Sequence, residues 1–228
     1  HPNFVRQIVA EDIARLRDAR FFEVYNGHPY VRNQGTEDEP SVERLWDIVL
    51  TLRLREAGGS TMLALATDDA HDFAQWGVGK ANPGRGWVMV RAARLSADAI
   101  MNAMLAGDFY ATTGVVLQDI TFSNNTLTVQ ICPEPGVTYT TQFIGTRKGY
   151  DATAKPRKDD APDAYFTKVY SDEVGQVLAE QTGTTAAYTL TGDELYVRAK
   201  VISSAKHTNP HAEGDLQEAW VQPVTPIR

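Results

Sequence analysis

The chain has 228 residues, of which 43% are hydrophobic, a formal net charge of −7 and one cysteine. That length builds one large domain or two modest ones. The acidic balance, with no basic run, argues against nucleic acid as a general partner. The lone Cys132 excludes an intramolecular disulfide and a cysteine-rich metal site, and no apolar run is long enough to span a membrane.

The chain opens His1-Pro2-Asn3-Phe4, with neither an initiator Met nor a signal peptide, and reads as a piece cut from a longer protein. An amphipathic helix pattern follows, with Ile8, Val9, Ile13 and Leu16 on one face. Residues 21–25 read as a strand that stops at Asn26-Gly27. Residues 28–40 are polar and turn-rich. Ser41 is the N-cap of a helix carrying Val42, Leu45, Trp46, Val49, Leu50 and Leu54, which Gly58-Gly59 end.

Residues 61–66 form an apolar run of the length of a buried parallel strand. Asp68, Asp69 and His71 follow at its C-terminal end. In α/β folds that end is where chemistry usually sits. Two apart on an extended backbone, Asp69 and His71 point the same way. A carboxylate and an imidazole on one side are a fragment of a site for zinc, iron or manganese. The plainer reading has Asp68 capping a turn and His71 at the surface. A loop with Gly77, Gly79, Gly84 and Gly86 comes next, then a strand over 87–90. Ser96 caps a helix with Ile100, Met104 and Leu105, closed by Gly107, and residues 109–112 are a last short strand. Helix and strand thus alternate over residues 1–115, the signature of a parallel sheet with crossover helices. About four strands are visible, too few to close a barrel of seven or eight.

After Gly114 the pattern changes. Residues 116–122 and 126–131 flank the turn Ser123-Asn124-Asn125 as a hairpin, and 138–144 read as a third strand. A charged stretch with Lys155, Arg157, Lys158, Asp159 and Asp160 reads as a solvated loop. Strands follow over 176–181, 186–190, 194–202 and 219–223. Residues 116–228 therefore read as a β-sandwich of immunoglobulin-like size.

Three pieces stand at strand ends: His1-Pro2, the run from Glu23 to Pro29, and Asp68 to His71. With Trp46-Asp47, in that order and spacing, they resemble the C-terminal part of a PHP (polymerase and histidinol phosphatase) domain. More narrowly, they are similar to PHP-type metal-dependent phosphoesterases that carry a C-terminal β-sandwich. The resemblance implies a portion of a (β/α)7 barrel over 1–115, with the sandwich as an accessory domain. It implies hydrolysis of a small phosphorylated substrate by water activated on two or three divalent ions (zinc, iron or manganese), with His1, Asp69 and His71 as metal ligands. The family's earlier ligands would lie upstream of residue 1, so the missing N-terminal part of the same protein is an expected partner and the fragment alone is expected to be inactive. Export and oligomerisation are compatible with it.

Other residues have two readings each. Glu23 and Asn26 orient metal ligands or contact substrate, or else form an ion pair and a turn. Asp68 hydrogen-bonds a ligand histidine or caps the turn. Lys80 and Arg85 neutralise a phosphate approached by the glycine loop, or sit in a solvated loop. His28 reads as structural or exposed, and His207 and His211, flanking Asn209-Pro210, read as part of a long hairpin loop and not as metal ligands. The alternative function is a non-catalytic carbohydrate- or protein-binding protein, using aromatics such as Tyr165, Phe166 and Tyr170. A serine nucleophile elbow, a His-Glu-x-x-His motif and a dinucleotide fingerprint are all lacking.

Overall fold

A computed structural model describes residues 1–4, 8–56, 59–157 and 166–227. The elements run α1 (Ala10–Arg15), β1 (Phe21–Asn26), α2 (Val42–Leu54), β2 (Leu63–Thr67), β3 (Trp87–Val90), α3 (Ala97–Ala106) and β4 (Phe109–Thr112). They continue β5 (Leu117–Ser123), β6 (Thr126–Ile131), β7 (Tyr139–Arg147), β8 (Ala154–Lys155) and β9 (Val169–Tyr170). The last are β10 (Gln176–Thr182), β11 (Thr185–Thr189), β12 (Glu194–Lys206) and β13 (Leu216–Val221).

Local signals place several ends. Ser41 caps α2 by accepting from the Arg44 amide, and Ser96 does the same for α3 from Ala99. Gly107 closes α3 in the left-handed conformation at φ 83°, which costs glycine no Cβ clash. Asn124 and Asn125, at φ 49° and 57°, turn the β5–β6 hairpin as a primed turn requires. The expected helix stop at Gly58 lies outside the described residues, as do Lys158, Asp159, Asp160 and Tyr165.

The expected (β/α)7 barrel portion is not found; the described chain is rich in antiparallel strands. Among the described residues, only β1 and β2 pair in parallel, as a two-stranded sheet. Strands β3 and β4 are antiparallel and belong to a six-stranded sheet in the order β10-β7-β12-β13-β4-β3. The connection through α3 therefore returns the chain beside itself instead of crossing over. The reason the pattern misleads is that β4 is buried along its whole length. A strand covered on both faces reads as a continuous apolar run whichever way its neighbours point.

The molecule is layered. A three-stranded sheet, β11-β6-β5, covers one face of the six-stranded sheet. Leu127, Val129 and Ile131 there meet Phe143, Val197, Ala199, Val201, Ala219 and Val221 in one core. The other face carries α2 and the β1–β2 pair, through Trp46, Phe22, Val24, Ala64, Ala66, Ala111, Tyr196 and Trp220. Alternation along β12 serves both layers: Val197, Ala199 and Val201 face the small sheet, and Tyr196, Arg198 and Lys200 face α2.

That second face buries an ion pair. Arg198 grips both oxygens of Asp47 at 2.7 Å, through Nε and Nη2, and Tyr196 donates its hydroxyl to Asp47 at 2.8 Å. The guanidinium also lies 4.8 Å from the centroid of the Trp46 ring. Burial opposes the Arg198 charge, yet Asp47 holds its pKa above the ordinary value. Burial alone would raise the Glu43 carboxyl, but Lys200 and Arg198 hold it below the usual carboxylate range. Among the described residues, no helix is long and apolar enough to cross a membrane.

Candidate functional site

The parallel β1–β2 pair sets Asn26 beside Thr67, so both strands end together. Residues three apart on a regular strand face opposite sides. The register shift between Glu23 and Tyr25 breaks that rule. It lets the Asn26 amide nitrogen reach Glu23 Oε1 at 3.1 Å. Beyond β2, Asp69 takes a left-handed backbone, φ 49°, a conformation that disfavours every residue except glycine and, less strongly, Asn and Asp.

Four side chains meet at these ends in alternating order. Glu23 Oε2 lies 2.6 Å from His1 Nδ1, His1 Nε2 lies 3.3 Å from Asp69 Oδ2, and His71 Nε2 lies 3.1 Å from Asp69 Oδ1. Thr67 donates its hydroxyl to Glu23 Oε1 at 2.6 Å. The Asn26 amide nitrogen also lies 2.7 Å from His1 Nδ1 and 3.4 Å from Asp69 Oδ2. One ring nitrogen cannot donate to Glu23 and accept from Asn26. The bond to the carboxylate is the charge-assisted one and wins. His1 Nδ1 thus carries a proton, and its Nε2 turns to Asp69. The two ends differ in exposure: the Glu23 side chain is 16% exposed and His71 68%, with His1 at 40% and Asp69 at 24% between them.

The structure therefore brings His1, Glu23, Asn26, Asp69 and His71 together. It also adds His28, whose ring centroid is 5.6 Å from that of His71. Asp69 and His71 meet as expected, but through a turn and not along an extended strand. Thr67 and Asn33 were not anticipated. Asn33 accepts from the Asn26 backbone N–H at 3.1 Å and donates to the Asn26 carbonyl at 2.8 Å, holding the end of β1 as a neighbouring strand would. It lies in a polar turn region where nothing in the sequence distinguishes it.

Asp68, Lys80 and Arg85 lie to one side. The Asp68 carboxylate accepts from the Gly84, Arg85 and Gly86 amides at 2.7 to 2.9 Å. The amides expected to cradle a phosphate hold Asp68 instead. Arg85 is fully buried. Its guanidinium donates to the carbonyls of Gly27, Gly77, Lys80 and Asn209. It ties three loops together and faces no solvent. Gly27 is required here, since a Cβ would fall 2.7 Å from that of Arg85. Lys80 is half-buried, and its carbonyl is one of the Arg85 acceptors. Asn82, also fully buried, donates to the carbonyls of Asp72 and Gln75 and so fixes the loop after His71.

Among the described residues, no group of three or more His, Cys, Asp and Glu side chains stands as a ready-made metal centre. Asp69 meets the two imidazoles through different oxygens. A carboxylate and imidazoles are donor types that a borderline divalent ion accepts. Comparison with protein-family models, with curated proteins and with solved structures finds no match.

Proposed function

We propose that the chain is part of a metal-dependent phosphoesterase, with Asp69, His1 and His71 holding a divalent ion such as zinc, iron or manganese. One observation carries the reading. With Nδ1 donating to Glu23, His1 presents Nε2 to an oxygen of Asp69, 3.3 Å away. A neutral ring there sets two acceptors face to face, and a shared metal ion reconciles them as a second ring proton also would. The Glu23–His1 bond is then the carboxylate that fixes the tautomer of a ligand histidine, and Thr67 and Asn26 hold Glu23 in turn. Asp69 meets an imidazole at each of its oxygens. When bound, the metal supplies an activated water and neutralises charge developing on the phosphoryl oxygens. Glu23 orients the imidazole, Asp69 supplies the anionic ligand, and the exposed His71 leaves the outer side open to a small phosphorylated substrate. The order of His1-Pro2, Glu23 to Asn26 and Asp69 to His71, which resembles that of PHP phosphoesterases, supports the same chemistry.

The test is titration of the chain with Zn²⁺ and with Mn²⁺, followed by assays on aryl phosphate mono- and diesters. At least one equivalent of chelatable metal is expected, lost in Asp69→Asn and in His71→Ala. No metal uptake would overturn the reading. A binding protein would then lead, because Phe73 and Trp76, 69% and 60% exposed, stand just after His71. Phe166 and Tyr170 are half-buried, and the Tyr170 hydroxyl is held by Glu11.

A further inference from the structure

His28 begins the loop after β1 and is fixed at three points. Its backbone N–H donates to Asn26 Oδ1 at 2.7 Å. Its carbonyl accepts from His211 Nε2 at 3.1 Å. Its ring nitrogen Nδ1 accepts from the Tyr30 backbone N–H at 3.2 Å. The ring is also wedged edge-on between others, with centroids 5.2 Å from Tyr30, 5.6 Å from His71 and 6.2 Å from Phe4. So much fixing of one half-buried imidazole, beside the exposed end of the Glu23–His1–Asp69–His71 row, needs a reason.

The Tyr30 bond decides what the ring can do. An Nδ1 that accepts a hydrogen bond carries no proton, so the neutral ring carries it on Nε2. Among the described residues, Nε2 has no hydrogen-bond partner. Acting as a metal ligand through Nε2 would move that proton to Nδ1, where it would face the Tyr30 N–H. Of the two roles open to a histidine here, donor and ligand, the surroundings favour donor.

We propose that His28 receives an anionic oxygen of the substrate through Nε2–H, beside the metal-binding side chains. The assignment deepens the phosphoesterase reading and rests on it for the identity of the anion. A neutral donor suits this place. Glu23 and Asp69 repel an approaching phosphoryl group, and Arg85 does not offset them, since its guanidinium is engaged with carbonyls. An N–H fixed in place beside the His71 ring needs little reorganisation when the substrate arrives.

The experiment uses the whole chain, with inorganic phosphate as probe. Nitrogen NMR of the labelled imidazoles is expected to show His28 as the Nε2–H tautomer, with its signals moving as phosphate is added. His28→Ala should weaken phosphate binding about tenfold, the value of one hydrogen bond to a charged group, and leave metal stoichiometry unchanged. His28→Gln, which keeps an N–H at similar reach, should recover part of the loss. An Nδ1–H tautomer, loss of metal in His28→Ala, equal phosphate binding by that variant, or no phosphate binding by the unaltered chain would each overturn the proposal. Metal uptake together with equal phosphate binding by His28→Ala sinks His28 alone and spares the hydrolase reading. His28-dependent phosphate binding without any metal uptake does the reverse.

Discussion

Two sets of acids and bases in this protein use similar chemistry for different ends. Asp47 and Arg198 lie between α2 and the six-stranded sheet, with side chains 5% and 1% exposed. Glu23, His1, Asp69 and His71 lie at the ends of the parallel pair, with the row most exposed at its His71 end. In the buried set, both oxygens of Asp47 and two nitrogens of Arg198 are matched to each other, with Tyr196 as a further donor. The outer set is open-ended: His71 finishes in solvent, and Asp69 meets an imidazole nitrogen at each of its oxygens. A buried pair gripped through both carboxylate oxygens fixes how layers dock, although Arg198 Nη1 finds no hydrogen-bond partner among the described residues. An exposed, unclosed row has valences left for something else.

The sharpest way to break the comparison is at Arg198. Removing one partner of a buried pair leaves an uncompensated charge, so Arg198→Met should cost about 3–5 kcal/mol of stability. Urea unfolding would read it as a lower midpoint. Combining Arg198→Met with Asp47→Leu should recover much of that loss, because the stranded carboxylate is gone. If the single variant unfolds like the unaltered protein, the pair does not hold the α2 layer on the sheet.

The outer row should behave in the opposite sense. Asp69 has a left-handed backbone that costs an L-residue roughly 1–2 kcal/mol and glycine nothing. Asp69→Gly removes that strain and adds some unfolded-state entropy, so stability should hold or rise by about 1 kcal/mol. Metal uptake should be lost in the same variant. Calorimetric unfolding and metal titration on one sample check both. A large loss of stability would place Asp69 with Asp47 as a structural carboxylate, and the distinction between the two sets would fail.

The parts legible in the sequence are those decided within a few residues. Ser41, Ser96, Gly107 and Asn124-Asn125 act on their own neighbours, and each marks the turn or cap expected of it. The partners of β4 are decided by β13, more than a hundred residues on, and an apolar run is blind to strand direction. Asp69 and His71 were readable as a pair because the turn joining them is short. Glu23 and Asn26 meet only through a register shift, which no pattern of side chains announces. Arg85 shows the limit most clearly. A cation in a glycine loop reads as a phosphate ligand, but here its acceptors are main-chain carbonyls, which every residue carries.

A third, smaller effect lies between the two regions and is read by pH. His207 Nε2 donates to the Arg85 carbonyl at 3.2 Å, and Nδ1 accepts from the Asn209 N–H at 2.9 Å. Burial holds this imidazole below its ordinary value. The bond to Arg85 and the charges of Asp215 and Asp68 pull the other way without overcoming it. The unfolded chain therefore binds the His207 proton more readily than the folded one. The stability it supports is complete above the ordinary histidine value, about 6.5, and falls as pH drops from there towards the lowered folded value. Protonation would also set an Nδ1–H against the Asn209 amide, weakening the seat of Arg85 and the loops it ties. His207→Gln keeps a donor towards the Arg85 carbonyl and removes the titration. The stability difference between variant and unaltered protein, measured by urea unfolding from pH 8 to pH 5, should shift in favour of the variant as pH falls. A difference that stays constant over that range would mean that His207 has the same proton affinity folded and unfolded, and that the Arg85 anchor is indifferent to pH.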